Sequence, residues 1–331
     1  MPESSLGAVI LVIVLALAFD FFNGFNDAAN AIATVIATRV MSPAAAITMA
    51  AVLNFAGAMA GTAVAKTVGS GLVDPEVITL GSVGAAATAA ALWVLFASRL
   101  GLPVSGSHSI IGGIIGAGIG IRGLDILVWS GIRKVVLGLI FAPIIGVLGG
   151  YLLMVLLLWL FQRSSPRTVN SLFGRLQIVS AGFMAFSHGT NDAQKTMGII
   201  TLALLAGGRI SEFEVPFWVI AASGLTIAAG TAAGGRKVIT TVGSRISKLR
   251  NINGFAAETA AASVIESASR LGFPLSTTHV ITSGILGVGA TRRLSAVRWG
   301  VAREIMLAWA LTFPITGLLG AFFAVIVDRA F

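Results

Sequence analysis

Asn23-Gly24-Phe25-Asn26-Asp27-Ala28-Ala29-Asn30 sits between two apolar runs, and His188-Gly189-Thr190-Asn191-Asp192-Ala193-Gln194-Lys195 does the same 165 positions later (23 to 188). Gly, Asn, Asp and Ala recur in register. A carboxylate in lipid is costly, so an acid inside an apolar run marks a functional site. Two in matching frames predict one site built by two repeated halves.

The surrounding chain has 331 residues, 56% hydrophobic and 11% charged, with a mean hydropathy of +0.95. A soluble domain averages about 25% charged residues. The composition predicts an all-α polytopic membrane protein in a cell (inner) membrane, its partner the lipid bilayer, with no room for a soluble catalytic domain. Cysteine is absent, which excludes disulfides and thiolate metal sites. The first apolar run leads straight into the first polar cluster and is read as retained rather than cleaved. The formal charge of +9 sits mostly in loops, so it reads as membrane topology and not as a nucleic-acid surface.

Apolar segments fall in two series of five, 6–39, 43–67, 77–98, 102–121 and 126–161, then 171–207, 215–235, 254–268, 273–290 and 297–327. The expected organisation is a first repeat over 1–161, a linker over 162–170 and a second repeat over 171–331. The first segment of each half exceeds the roughly 20 residues of one span. It is expected to break at its Asn-Asp cluster.

A second repeat aligns Ala97-Ser98-Arg99-Leu100-Gly101-Leu102-Pro103-Val104-Ser105-Gly106-Ser107-His108 with Ala268-Ser269-Arg270-Leu271-Gly272-Phe273-Pro274-Leu275-Ser276-Thr277-Thr278-His279, an offset of 171 (97 to 268). Proline ends a helix by removing a donor and clashing one turn back. Each copy therefore predicts helix, polar tip, helix: a re-entrant hairpin. Three crossings plus one hairpin per half make the two repeats inverted. A cytoplasmic linker then puts thirteen Lys and Arg residues inside and six outside, which favours external termini.

These motifs resemble the inorganic phosphate transporter (PiT) family. Gly24-Phe25-Asn26-Asp27 and Gly189-Thr190-Asn191-Asp192 match its paired clusters, and Gly101 to His108 and Gly272 to His279 match its hairpins. The resemblance covers nearly the whole chain. It implies no enzyme but a symporter of inorganic phosphate with Na+ or H+, assembled as a membrane homodimer. The long cytoplasmic insertion of eukaryotic members is missing here. A Glu that members often carry after the first cluster is replaced by Asn54. Sulfate permeases are close relatives, so the anion stays open at this point.

An anion site needs donors, which hydroxyls and the amides at helix starts supply. The candidate substrate-binding residues are Asp27, Ser105, Gly106, Ser107, Asp192, Ser276, Thr277 and Thr278. The alternative for the tip residues is helix capping. Carboxylates suit Na+, and they also accept the proton that phosphate keeps near neutral pH and sulfate lacks. The candidate cation ligands are Asn26, Asp27, Asn30, Asn191, Asp192 and Glu258, with Na+ favoured as coupling ion and H+ the alternative. Lys195 stands where the first half has Asn30, either neutralising Asp192 or snorkelling outward. His108 and His279 are read as tip supports or proton relays, and Gln194 as a supporting partner. His188, opposite Asn23, is ranked below them. Arg99 and Arg270 are expected to pair with acids at the hairpin bases. The reading is a phosphate importer working by alternating access. Its rivals are an oxyanion permease of the same family, an intramembrane lipid-phosphate enzyme, and a sensor or scaffold.

Overall fold

A computed structural model describes residues 5–75 and 77–330; the predicted external termini, residues 1–4 and 331, lie outside it. Twelve α-helices carry the described chain. In the first half they are α1 (Leu6–Ala37), α2 (Pro43–Ala58), α3 (Ala63–Ser70), α4 (Leu80–Leu100), α5 (Gly106–Arg122) and α6 (Trp129–Leu160). The second half has α7 (Pro166–Ala206), α8 (Phe217–Ala233), α9 (Arg236–Thr240), α10 (Asn251–Arg270), α11 (Thr277–Ala290) and α12 (Trp299–Ala330). By length and composition five helices suffice to cross a membrane, or up to seven when two bent pairs each count as one span. The chain is a multi-pass membrane protein.

The starts and stops follow local chemistry. The Ser5, Ser42, Thr79 and Ser165 side chains cap α1, α2, α4 and α7, and Pro43 and Pro166 occupy first helical turns, where no N–H is needed. α7 thus begins at Pro166, so the linker expected over 162–170 is shorter and its second part is helical. α4 stops at Gly101 (φ +75°), and the turn after α10 contains Gly272 (φ +73°). That left-handed backbone suits glycine, and Pro103 and Pro274 then prevent the helices from resuming. Both predicted hairpins are present: α4, tip, α5 and α10, tip, α11.

The expected break at each Asn-Asp cluster is absent. α1 and α7 run unbroken through Asn26-Asp27 and Asn191-Asp192. Neither cluster holds a proline, and its glycine serves close packing. A Cβ on Gly24 would meet the Ile227 backbone of α8, and one on Gly189 the Asn54 backbone of α2. The broken spans lie one element later, where α2 and α3 meet at 72° and α8 and the segment Arg236–Arg245 at 68°.

The halves do not pack as separate units. α6 lies against α10 and α11, while α12 lies against α4 and α5. α2 and α3 pack on α7, and α8 and α9 on α1. One hydrophobic core joins α1, α3, α4 and α5 to α7, α8 and α12; a second joins α6, α7, α10, α11 and α12 to Ala29 and Ala33 of α1. The outward faces of α6 and α12 are apolar, with Leu152 and Leu318 exposed, as suits a lipid-facing surface.

Candidate functional site

In α1 the positions 23, 26, 27 and 30 share one face, as do 188, 191, 192 and 195 in α7. All eight side chains are buried. α1 packs on α7, which brings the two carboxylates together. One ligand atom each from Asp27, His188 and Asp192 lies within 4.8 Å of the others. His188 Nε2 is 2.8 Å from Asp192 Oδ2 and 3.6 Å from Asp27 Oδ2. Its Nδ1 is 2.9 Å from Asn54 Oδ1, and Asn54 in turn donates to Thr231 (2.8 Å). Asn54 therefore orients the histidine.

His188 is thus central, which corrects its low sequence ranking. Its lack of a symmetric partner was misleading, because Asn23 at the matching position has no hydrogen-bond partner among the described residues on either amide atom.

The second tip closes over the carboxylates. Thr277 donates to Asp192 Oδ2 (2.8 Å) and approaches Asp27 Oδ2 (3.5 Å), and Thr278 donates to Asp27 Oδ1 (2.8 Å). Asn30 Nδ2 donates to Thr278 (3.1 Å) and Thr277 (3.4 Å). The first tip is not equivalent. Gly106 stands where the second tip has Thr277, and a Cβ there would collide with the Asn23 side chain. Ser107 donates to Leu275 O (2.6 Å), and Thr278 Oγ1 lies 3.2 Å from Val104 O, so the tips lie against each other. Ser105 and Ser276 accept from the amides of His108 (3.1 Å) and His279 (3.2 Å), which is capping geometry.

Each cluster is also tied to its own hairpin base. Asn26 Nδ2 donates to Ser98 Oγ (2.8 Å) and Leu102 O (3.2 Å), and Asn191 Nδ2 to Ser269 Oγ (2.8 Å) and Phe273 O (3.4 Å). Fixing the amide nitrogens leaves the oxygens. Oδ1 of Asn26, Asn30 and Asn191 is buried with no hydrogen-bond partner among the described residues. Orphaned buried carbonyl oxygens beside a carboxylate are the donor set that a hard cation takes, so this set fits Na+. Lys195 Nζ pairs with Asp192 Oδ1 and is fully buried, which removes the snorkelling alternative.

Four other expectations change. Glu258 is not gathered with the aspartates; it accepts from the Thr34 and Ser180 hydroxyls and, at 3.5 Å, from Gln177 Nε2. It forms a second buried polar cluster two helical turns along α1. Gln194 supports no tip: its Oε1 accepts from Val64 N (2.7 Å) and Ala65 N (3.3 Å), capping α3 at the bend. His108 and His279 do not hold the tips through hydrogen bonds. Their rings lie 4.5 Å apart and His279 stacks on Trp309 (3.8 Å), while Trp309 Nε1 donates to Pro103 O (3.0 Å). Arg270 pairs with Glu266 (2.9 Å) as expected, whereas Arg99 is exposed and contributes its carbonyl to Lys237 Nζ (3.0 Å).

A cavity of about 250 Å³ lined by Ala60, Thr190, Gln194, Glu266, Ser269 and Arg270 borders the Asn191–Ser269 tie.

Comparison with known proteins decides the family. The sequence pattern of the phosphate transporter family matches residues 23–320. The chain belongs to the phosphate transporter family. Within it, the chain is 45% identical over 323 residues to a protein of Rhizobium meliloti (strain 1021) described as "Probable low-affinity inorganic phosphate transporter", covering 96% of this chain and 97% of the relative. A Bacillus subtilis (strain 168) protein of the same description is 45% identical over 325 residues, covering 97% and 98%. A solved structure titled "The sodium-dependent phosphate transporter" superposes with a TM-score of 0.91 at 27% identity, covering 98% of this chain and all of the other. This phosphate transporter is therefore a transport protein and not an enzyme, with phosphate as its substrate. The second tip's threonines close over its paired aspartates.

Proposed function

We propose that the protein imports inorganic phosphate together with Na+ by alternating access, at the junction of Asp27, Asp192, His188 and the second tip. The observation that carries this reading is that Thr277 and Thr278 hydroxyls bridge to both carboxylates, coupling the hairpin to the two cluster helices. A phosphate arriving there meets hydroxyl donors and the first amides of α5 and α11, which have no acceptor within their own helix. Its own O–H donates to a carboxylate. Sulfate brings only lone pairs against Asp27 and Asp192 and is disfavoured.

The Na+ is cargo, and its ligands are Asp27 and the free Oδ1 atoms of Asn26 and Asn30. Its charge offsets the carboxylate and favours anion entry, so neither ion is held well alone. The corresponding ties of Asn26 and Asn191, each to the hairpin base of its own half, support two inverted repeats that rock about this junction. The apolar outward faces support a lipid-embedded assembly, with the homodimer as its form and the short linker on the cytoplasmic side.

The test is phosphate uptake by purified protein in proteoliposomes, with Na+ and H+ gradients imposed separately. Uptake driven by Na+, and unaffected by equimolar sulfate, is expected. Full uptake in Na+-free buffer under a pH gradient overturns the cation, and inhibition by equimolar sulfate overturns the anion.

A further inference from the structure

Lys195 breaks the internal duplication at a site where the duplication otherwise predicts two equal cation sites. Asn26, Asp27 and Asn30 share a face of α1, and Asn191, Asp192 and Lys195 share the matching face of α7. In the first half the third position offers a buried, unpartnered amide oxygen. In the second half it offers an ammonium paired with Asp192 Oδ1. An ammonium has three donors and no acceptor, so it cannot ligate a metal ion.

The pairing is not a surface contact. Lys195 is fully buried, among the largest such side chains of the molecule, and Asp192 is 1% exposed. A buried carboxylate requires a compensating charge, and here the chain supplies it covalently. The supplied charge cannot leave with the cargo. Among the described residues no lysine or arginine pairs with Asp27, whose partners are two threonine hydroxyls and His188, the last shared with Asp192.

We propose that Lys195 is a tethered counter-ion that takes, beside Asp192, the place a coupling cation takes beside Asp27, so that each phosphate travels with a single Na+. The inference rests on the transport reading above and sets its stoichiometry. It makes Lys195 a residue that determines how many ions are coupled, and not simply one that holds two helices together. A transporter built this way works against a smaller phosphate gradient than a two-cation relative and depends less steeply on external Na+.

The experiment measures radiolabelled Na+ and phosphate fluxes in parallel in proteoliposomes, together with the Na+ dependence of phosphate binding in detergent. The wild type is expected to move one Na+ per phosphate. Lys195→Asn restores an amide oxygen in the second site; it is expected to bind an additional Na+, with the Hill coefficient for Na+ rising from about one toward the limit of two set by the number of sites. Asn30→Lys places an ammonium in the first site as well and is expected to bind phosphate without any dependence on Na+.

Two Na+ per phosphate in the wild type overturns the inference. So does Lys195→Asn that folds and transports with an unchanged ratio. If Lys195→Asn fails to elute as a folded species, the wild-type ratio and Asn30→Lys decide the matter, and persistent Na+ dependence in Asn30→Lys counts against it. Absence of uptake by the wild type, or uptake driven by H+ alone, defeats the transport reading instead. Na+-driven uptake with a ratio of two defeats this inference and leaves that reading intact.

Discussion

At the scale of single residues the proposed transport site turns on the two aspartates and the second tip. Asp27→Asn and Asp192→Asn are expected to abolish or severely reduce phosphate uptake while the protein still reaches the membrane, as checked by transport and by immunoblot of membrane fractions. Thr277→Val keeps the shape and removes a hydroxyl aimed at both carboxylates. Losing a hydrogen bond to a charged group costs about 1.5–3 kcal/mol, which corresponds to roughly tenfold or more in apparent KM. Thr277→Ser is expected to restore most of it. Ser105→Ala behaves differently, because the Ser105 hydroxyl caps α5. Its loss lowers stability by about 1 kcal/mol, seen as a lower Tm in detergent, with the KM little changed. The aspartates were legible in the sequence because their frame repeats. His188 and Asn54 were not, since each lacks a symmetric twin and their pairing spans 134 positions. Glu258 was legible as a buried acid, but its partners Thr34, Ser180 and Gln177 carry no pattern that separates them from ordinary helix surface.

Elements are held by contacts that recur across the halves. Thr67 of α3 donates to Gly272 O (2.8 Å), and Thr241, just beyond α9, donates to Gly101 O (3.0 Å). The short helix after each bend thus braces the hairpin of the opposite half. Helices α5 and α12 touch so closely that a Cβ on Gly116 would collide with the Gly317 backbone. Gly116→Ala is expected to lower the Tm through overpacking of about 1–3 kcal/mol. Gly7→Ala is the control, since a Cβ at Gly7 meets nothing within 4 Å, and it is expected to be neutral or stabilising. Both hairpins were readable from Gly-x-Pro-x-Ser, whose backbone restrictions act locally. The continuity of α1 and α7 was not, because a glycine that permits close packing and a glycine that permits a break look alike until the neighbouring helix is known.

For the whole molecule, the thirteen-to-six distribution of cations predicts a cytoplasmic linker. The chain has no cysteine, so a cysteine placed at Ser165 reports alone. It is expected to react with an impermeant thiol reagent only after the membrane is permeabilised; labelling in intact cells would reverse the orientation. The duplication itself was plain from two offsets, 165 and 171. The exchange of partners between halves was not, because a repeat states which segments correspond and not which ones touch.

The position of α12 against α4 and α5 carries a consequence for biosynthesis. The first hairpin is translated early, yet the tryptophan that holds its tip, Trp309, emerges only with the final long helix. Until then Gly112, Gly116 and Gly120 of α5 lack the helix on which they pack. Stop codons or frameshifts well downstream of the transport residues are accordingly expected to behave as null alleles, cleared by membrane proteolysis before any ion is moved.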